Sequence, residues 1–257
     1  MSHMRQIEPD PDGYPVRGLA ETFRTGHRLA AHTHPWAQLV YAVSGVMQVE
    51  TPFAAWLVPP TRAIWVPANM PHAITMRGAV AMRTLYLTPV DPDGRLSQCR
   101  ALEVAPLLRE LIVHIVRLGM LRAGDPEHER LGGLLLDLLA VDKTPPLELP
   151  LPRDPRARRL AERILADPGG EARLADLAQA SGASLRTLQR LFVAETGLAL
   201  EPWRGRARMQ QGMVSLSAGA SVTEAALDAG YQSPSAFIVA FRRAFGVTPA
   251  RYRARTA

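Results

Sequence analysis

Residues Ser221–Arg253 read SVTEAALDAGYQSPSAFIVAFRRAFGVTPARYR, and the spacing of their apolar side chains decides the fold around them. Val222, Ala225, Ala226 and Ala229 form one short stripe at helical spacing; Phe237, Ala240, Phe241, Ala244 and Phe245 form another. Between them Ser233-Pro234 is a helix start. The serine caps free backbone N–H groups, and proline at the first helical position forfeits no hydrogen bond. Gly246 closes the second helix, because glycine takes the left-handed conformation at little cost. Two short helices around an abrupt turn, with Arg242 and Arg243 off the core face of the second, read as helix-turn-helix.

The plan occurs twice. Residues 174–197, LADLAQASGASLRTLQRLFVAETG, repeat it with Leu174, Leu177 and Ala178, a turn at Gly182, a cap at Ser184, then Leu185, Leu188, Leu191 and Phe192 before Gly197. Aligning Gly197 with Gly246 superposes Phe192 on Phe241, Leu188 on Phe237 and Ser184 on Ser233; the turns differ by one residue. Between the units, Pro202–Ser217 reads as a connecting helix carrying Arg204, Arg206 and Arg208. Two such units on one chain imply two reading heads in adjacent major grooves of double-stranded DNA.

Working outward, the final hundred residues resemble the DNA-binding region of AraC-type bacterial transcription regulators. The residues that carry the resemblance are Gly230-Tyr231, Phe237 to Phe241, Gly246-Val247-Thr248-Pro249 and Tyr252-Arg253. It implies a regulator that binds promoter or operator DNA, with RNA polymerase as a further candidate partner.

Charge is distributed to match. The 257-residue chain carries a net +6, and residues 151–257 hold 16 arginines against nine acidic residues, a balance of +7; residues 1–150 come to −1. A phosphate-binding face requires that asymmetry. The single Cys99 excludes an internal disulfide and fits a reducing, cytoplasmic setting, and no apolar run is long enough to span a bilayer.

Base readout needs exposed side chains on the first turns of the second helix of each unit. In the first unit these are Arg186, Gln189 and Arg190; an arginine forks onto guanine and a glutamine onto adenine. In the second unit the equivalent face is Ser235, Ala236, Ile238 and Val239, suited to thymine methyls or shape. Thr187, Gln232, Ser233, Arg242 and Arg243 are assigned to phosphates. The first unit is therefore expected to carry most of the base specificity.

Upstream the pattern changes. Residues 5–25 read as an arm, and from Gly26 to about Pro89 short β-like runs alternate with Pro and Gly: 39–43, 46–49, 54–58, 63–66 and 82–87. Many short strands argue for a sandwich or barrel. Gly26, His32-x-His34, Gln38 and Gly45 resemble the first cupin motif, with glutamine where that family most often has glutamate. Pro67-Ala68-Asn69-Met70-Pro71-His72 resembles the second, with Asn69 in place of glycine. The strand period puts His32 and His34 on one face, and His72 on a facing turn completes a three-histidine set with Gln38 as oxygen donor. Such a set suits one divalent transition ion, Zn²⁺, Ni²⁺, Mn²⁺ or Fe²⁺. The same histidines could instead line an effector pocket without metal. Trp36, Tyr41, Trp56 and Trp65 are candidate walls of that pocket or ordinary barrel core.

Residues 103–121 and 127–141 return to helical period, with leucine stripes that include Leu107, Leu118, Leu131, Leu134 and Leu135. That apolar surface fits either a homodimer contact through residues 103–141 or packing onto the barrel itself. Residues 143–155, KTPPLELPLPRDP, read as an extended linker. The expected fold is α+β in two domains. A cupin-like sensor (residues 5–142) precedes a proline-rich linker (143–153) and an all-α double helix-turn-helix domain (154–257). The functional alternative is a metal-dependent cupin enzyme, a dioxygenase or isomerase, with a DNA-binding tail.

Overall fold

The computed structural model describes residues 15–88, 96–140 and 148–256. They divide between two compact units, one drawn from residues 1–51 and 56–147, the other from 52–55 and 148–257.

The first unit is a near-closed antiparallel barrel. Its strands are β1 (Val16–Phe23), β2 (Arg28–His32), β3 (Ala37–Val40), β4 (Ala42–Glu50), β5 (Ala54–Val58), β6 (Arg62–Val66), β7 (His72–Leu87), β8 (Arg100–Glu103) and β9 (Met120–Leu121). Strand β7 is the spine: it pairs with β2 near its start, with β4 from Ala73 to Met82, and with β1 and β3 along its second half. Gly78, at φ 110°, lies within β7 where its register with β4 shifts, so the glycine is absorbed by a bulge and does not end the strand. For that reason β7 begins ten residues before the run expected at Met82. His72 is consequently the first residue of a strand, paired directly with His32, and not part of a turn. Strands β1 and β2 occupy residues read as an arm and as the start of a motif; residues 5–14 lie outside the described residues.

Strand parity assigns the faces. Val16, Ala37, Leu39, Tyr41, Ala63, Trp65, Leu85 and Leu87 pack in one core with Leu111, Ile112 and Ile115 of α1 (Pro106–Leu118) and Leu135 and Leu139 of α2 (Pro126–Leu139). Helix α1 is shorter than the stripe suggested, because Gly119 at φ 82° ends it and Met120–Leu121 turn back to pair with β1. Asp125 caps α2, accepting from the backbone N–H groups of Glu127 and His128, and Arg100 donates to the Leu139 carbonyl at its other end. Leu135 is fully buried in this core, whereas Leu107, Leu118, Leu134 and Leu136 are exposed.

The second unit holds β10 (Glu148–Pro150), α3 (Pro155–Ala166), α4 (Leu174–Ala180), α5 (Leu185–Thr196), α6 (Leu200–Ser217), α7 (Val222–Asp228), α8 (Pro234–Phe245) and α9 (Pro249–Thr256). Residues 148–153 are thus not a free linker. Leu149 and Leu151 alternate inward and are buried with Leu160, Ile164, Leu188, Phe192 and Trp203; residues 143–147 lie outside the described residues. Trp203 anchors this core, edge-on to Phe192, with its Nε1 donating to the Pro150 carbonyl at 2.7 Å. Phe237, Phe241 and Tyr252 fill the equivalent core of the second helix-turn-helix. No helix among the described residues is long and apolar enough to cross a membrane.

Candidate nucleic-acid interface and metal centre

The repeat is realised nearly residue for residue. Helices α4 and α7 have seven residues each and α5 and α8 twelve each. Ser184 and Ser233 cap the two longer helices, accepting from Thr187 N–H and Ala236 N–H; Gly197 (φ 71°) and Gly246 (φ 72°) close them. Arg186, Gln189 and Arg190 are exposed on α5, as are Ser235, Ala236, Ile238 and Val239 on α8. Val239, 70% exposed, is the most open large apolar side chain described. Gln232, Arg242 and Arg243 are also exposed. Thr187 is half-buried, its hydroxyl bonded to that of Ser184, and Ser233 is engaged in its own cap, so both serve the helix starts first.

Two basic residues of α6 behave differently from what their charge suggests. Arg204 is buried and donates to the Gly170 and Ala172 carbonyls, and Arg208 donates to that of Pro168. Arg206 alone of the three is exposed.

In the barrel, one ring atom from each of His32, His34 and His72 lies within 4.8 Å of the other two. The Nδ1 atoms face the carbonyl oxygens of Ala30 (2.8 Å), Trp36 (2.7 Å) and Met70 (2.9 Å). A carbonyl only accepts, so each neutral ring carries its proton on Nδ1 and turns an Nε2 lone pair inward. Gln38 Oε1 lies 3.0 Å from His72 Nε2 and 3.2 Å from His34 Nε2, while His32 Nε2 is buried with no hydrogen-bond partner. The amide is oriented from behind: Gln38 Nε2 donates to Thr84 Oγ1 (2.9 Å), whose proton goes to the Leu39 carbonyl (2.9 Å). Burial, reinforced by the charge His32 and His34 would carry, pushes His72 down to about 4, so that ring is neutral at pH 7. With the rings neutral, four lone-pair donors therefore converge on one point.

The expected pocket walls separate. Tyr41 and Trp65 lie on the opposite strand face from Gln38, in the core beneath α1 and α2, where Trp65 Nε1 donates to the Leu96 carbonyl. They are not beside the histidines, because odd positions of β3 and β6 face the helices. Trp36 is buried next to the histidines through its own carbonyl's bond to His34 and carries the Arg17 guanidinium 5.6 Å from its ring centre; Trp56 is buried within β5. Thr84 and Tyr86 stand on the histidine face and were not anticipated. Tyr86 lies edge-on to His34 at 5.2 Å, and burial, with the Glu21 charge adding, pushes its phenol up to about 12. Their signal was the alternation in MRTLYL, which sets Thr84 and Tyr86 on one face and Leu85 and Leu87 on the other.

Known proteins agree with both halves. The family described as "AraC-like ligand binding domain" matches residues 16–140 and "Helix-turn-helix domain" matches residues 177–255. The HTH-type transcriptional regulator NimR of Escherichia coli is 31% identical over 224 residues, covering 87% of this chain and 82% of its own. RipA of Corynebacterium glutamicum is 33% identical over 114 residues, 44% of this chain and 34% of its own. Among solved structures, an AraC-type regulator from Chromobacterium violaceum matches 40% of this chain and 93% of its own at 25% identity and a TM-score of 0.38. ToxT of Vibrio cholerae matches 95% and 98% at 9% identity and a TM-score of 0.41. With a ligand-binding barrel, a duplicated helix-turn-helix and a relative similar over most of both lengths, the chain belongs to the AraC family of transcription regulators.

Proposed function

We propose that the barrel senses its effector through a divalent transition ion held by His32, His34 and His72 Nε2 and Gln38 Oε1. The observation that carries this reading is the convergence of four proton-free donors, one of them, His32 Nε2, buried without a partner. A cavity of facing lone pairs is unfavourable by itself, and a soft or borderline cation relieves it. The donor set fits Zn²⁺, Ni²⁺, Mn²⁺ or Fe²⁺, with histidine favouring the nitrogen-preferring members. Such an ion, when bound, supplies a Lewis-acidic centre. Because three imidazoles and an amide are neutral, the site keeps its positive charge and selects an anionic or carbonyl-bearing effector. Gln38 and Thr84 orient the donors, and Nδ1 bonds to three carbonyls lock the rings.

The chain's relatives are regulators, which favours sensing over turnover, in a soluble cytoplasmic protein. The exposed Leu107 and Leu118 of α1 and Leu134 and Leu136 of α2 support a homodimer through residues 103–141, and RNA polymerase is a further candidate partner. Elemental analysis of protein purified without affinity nickel or chelator, beside His32→Ala and His72→Ala, tests the reading. One ion per chain, lost in both variants, is expected; no ion retained or taken up on titration would leave pocket lining as the role of these residues. An oxygen-consumption screen of the loaded protein separates sensor from oxidase.

A further inference from the structure

The loop joining α3 to α4 touches more than its neighbours in sequence. A Cβ on Gly169 would stand 2.1 Å from the Asp228 carbonyl oxygen, and one on Gly230 would stand 2.5 Å from the Gly169 carbonyl oxygen. Only glycine allows two backbones this close. The contact therefore presses the approach to the first helix-turn-helix against the turn of the second. Helix α6 grips the same loop from another side. Arg204 Nη2 donates to the carbonyls of Gly170 (2.7 Å) and Ala172 (3.2 Å), and Arg208 Nε to that of Pro168 (3.2 Å). Asp228 is tied to α6 as well, its carboxylate accepting from Ser215 Oγ at 2.6 Å.

Helix α6 is the covalent connection between the two helix-turn-helix units and packs into both, Trp203 in the core of the first and Gly212 against the Phe237 ring of the second. The loop adds an attachment off the axis of α6, which stiffens the pair against twisting about that helix. We propose that the Gly169–Gly230 contact, held by Arg204 and Arg208, is a positioning device. It fixes the separation and rotation of α5 and α8 and so makes the spacing between two DNA boxes a determinant of specificity. One base pair inserted between boxes shifts the second by about 3.4 Å and turns it by about 34°. A hinged pair of heads follows such a change; a braced pair cannot without bending the DNA. The inference is independent of what the barrel binds.

The test uses the full chain and an operator selected from random DNA, remade with one base pair added or removed between its boxes. The unmutated protein is expected to lose about tenfold or more in affinity at either altered spacing, as a strained site does. Gly169→Ala is expected to move the optimum or to shrink that penalty to within about threefold. Arg208→Ala is expected to act in the same direction, and Arg208→Lys, which can still donate to Pro168, to restore the profile. Arg206→Ala, on the exposed side of α6, should weaken every spacing alike. Thermal melting identifies which variants are folded; should Gly169→Ala not fold, the Arg208→Ala and Arg208→Lys pair decides. The proposal is overturned if a folded Gly169→Ala or Arg208→Ala keeps the unmutated spacing profile, or if the unmutated protein accepts all three spacings equally.

Discussion

His72 Nε2 and Gln38 Oε1 lie 3.0 Å apart although the bond from His72 Nδ1 to the Met70 carbonyl leaves no proton between them. Two lone pairs at that separation repel unless a cation lies near both or the amide turns over. Thr84 decides between these, because its hydroxyl donates to the Leu39 carbonyl and can only accept from Gln38 Nε2. Thr84→Val should release the amide and weaken metal binding by about 10–100-fold, the usual cost of losing an orienting partner. Gln38→Glu should strengthen binding by adding a charged ligand, at the expense of anionic effectors. Competition against a chelating indicator measures both. Unchanged affinity in Thr84→Val would remove Gln38 from the ligand set.

Acid should destabilise the metal-free protein through His72. Its folded value, held at about 4 by burial, lies below the ordinary 6.5, so the unfolded chain takes up the proton first as pH falls. The contribution is whole above about pH 6.5, declines as pH drops from there to about 4, and is exhausted below that. It amounts to roughly 3 kcal/mol. Denaturant midpoints of chelator-treated protein across this window should slope downward toward acid. In His72→Gln the slope should flatten.

The two recognition helices should fail differently when mutated. Arg186→Ala or Arg190→Ala is expected to cost about 1–3 kcal/mol of discrimination at one base pair. Arg242→Ala is expected to weaken all sequences alike and reduce the salt slope by about one. Site selection repeated with each variant reads both effects; an unaltered consensus in Arg190→Ala would mean that α5 docks in another orientation.

Leu134 and Leu135 are neighbours with opposite fates. Leu134 is 39% exposed and Leu135 is wholly buried in the barrel's own core. If the face of α1 and α2 carries the dimer, Leu134→Glu should yield a folded monomer by sedimentation, with weaker operator binding as the linked second site is lost. Leu135→Glu should unfold the barrel, since an unpaired charge replaces a packed leucine. A monomeric unmutated protein would dispose of the interface.

Local chemistry made the helical half readable. Ser233-Pro234, Gly246 and the Phe237/Phe241 stripe each act within one or two turns, so their meaning survives without tertiary context. The clustering of His32, His34, Gln38 and His72 was readable from the resemblance to the two cupin motifs, which places these side chains together; the ion they would hold is the proposal above. Strand β1 was not, because Gly18 and Ala20 on its helix-facing side give no apolar stripe to find. Aromatic type could not place Tyr41 and Trp65, but parity could: counted from Gln38, Tyr41 must point the other way. Arg204 and Arg208 show the limit of counting charge, because nothing in their spacing tells a guanidinium aimed at phosphate from one closed on backbone carbonyls.

The residues that start and stop α5 and α8 are serine and glycine pairs of equal spacing, and the exposed positions between them belong neither to those caps nor to the buried core. If positions 186, 189, 190, 235, 236, 238 and 239 read the bases, variation there works as an alphabet separate from the frame that displays it. Each head is free to drift to a new target while its partner keeps the old one, and a lineage can acquire a new regulon one half-site at a time.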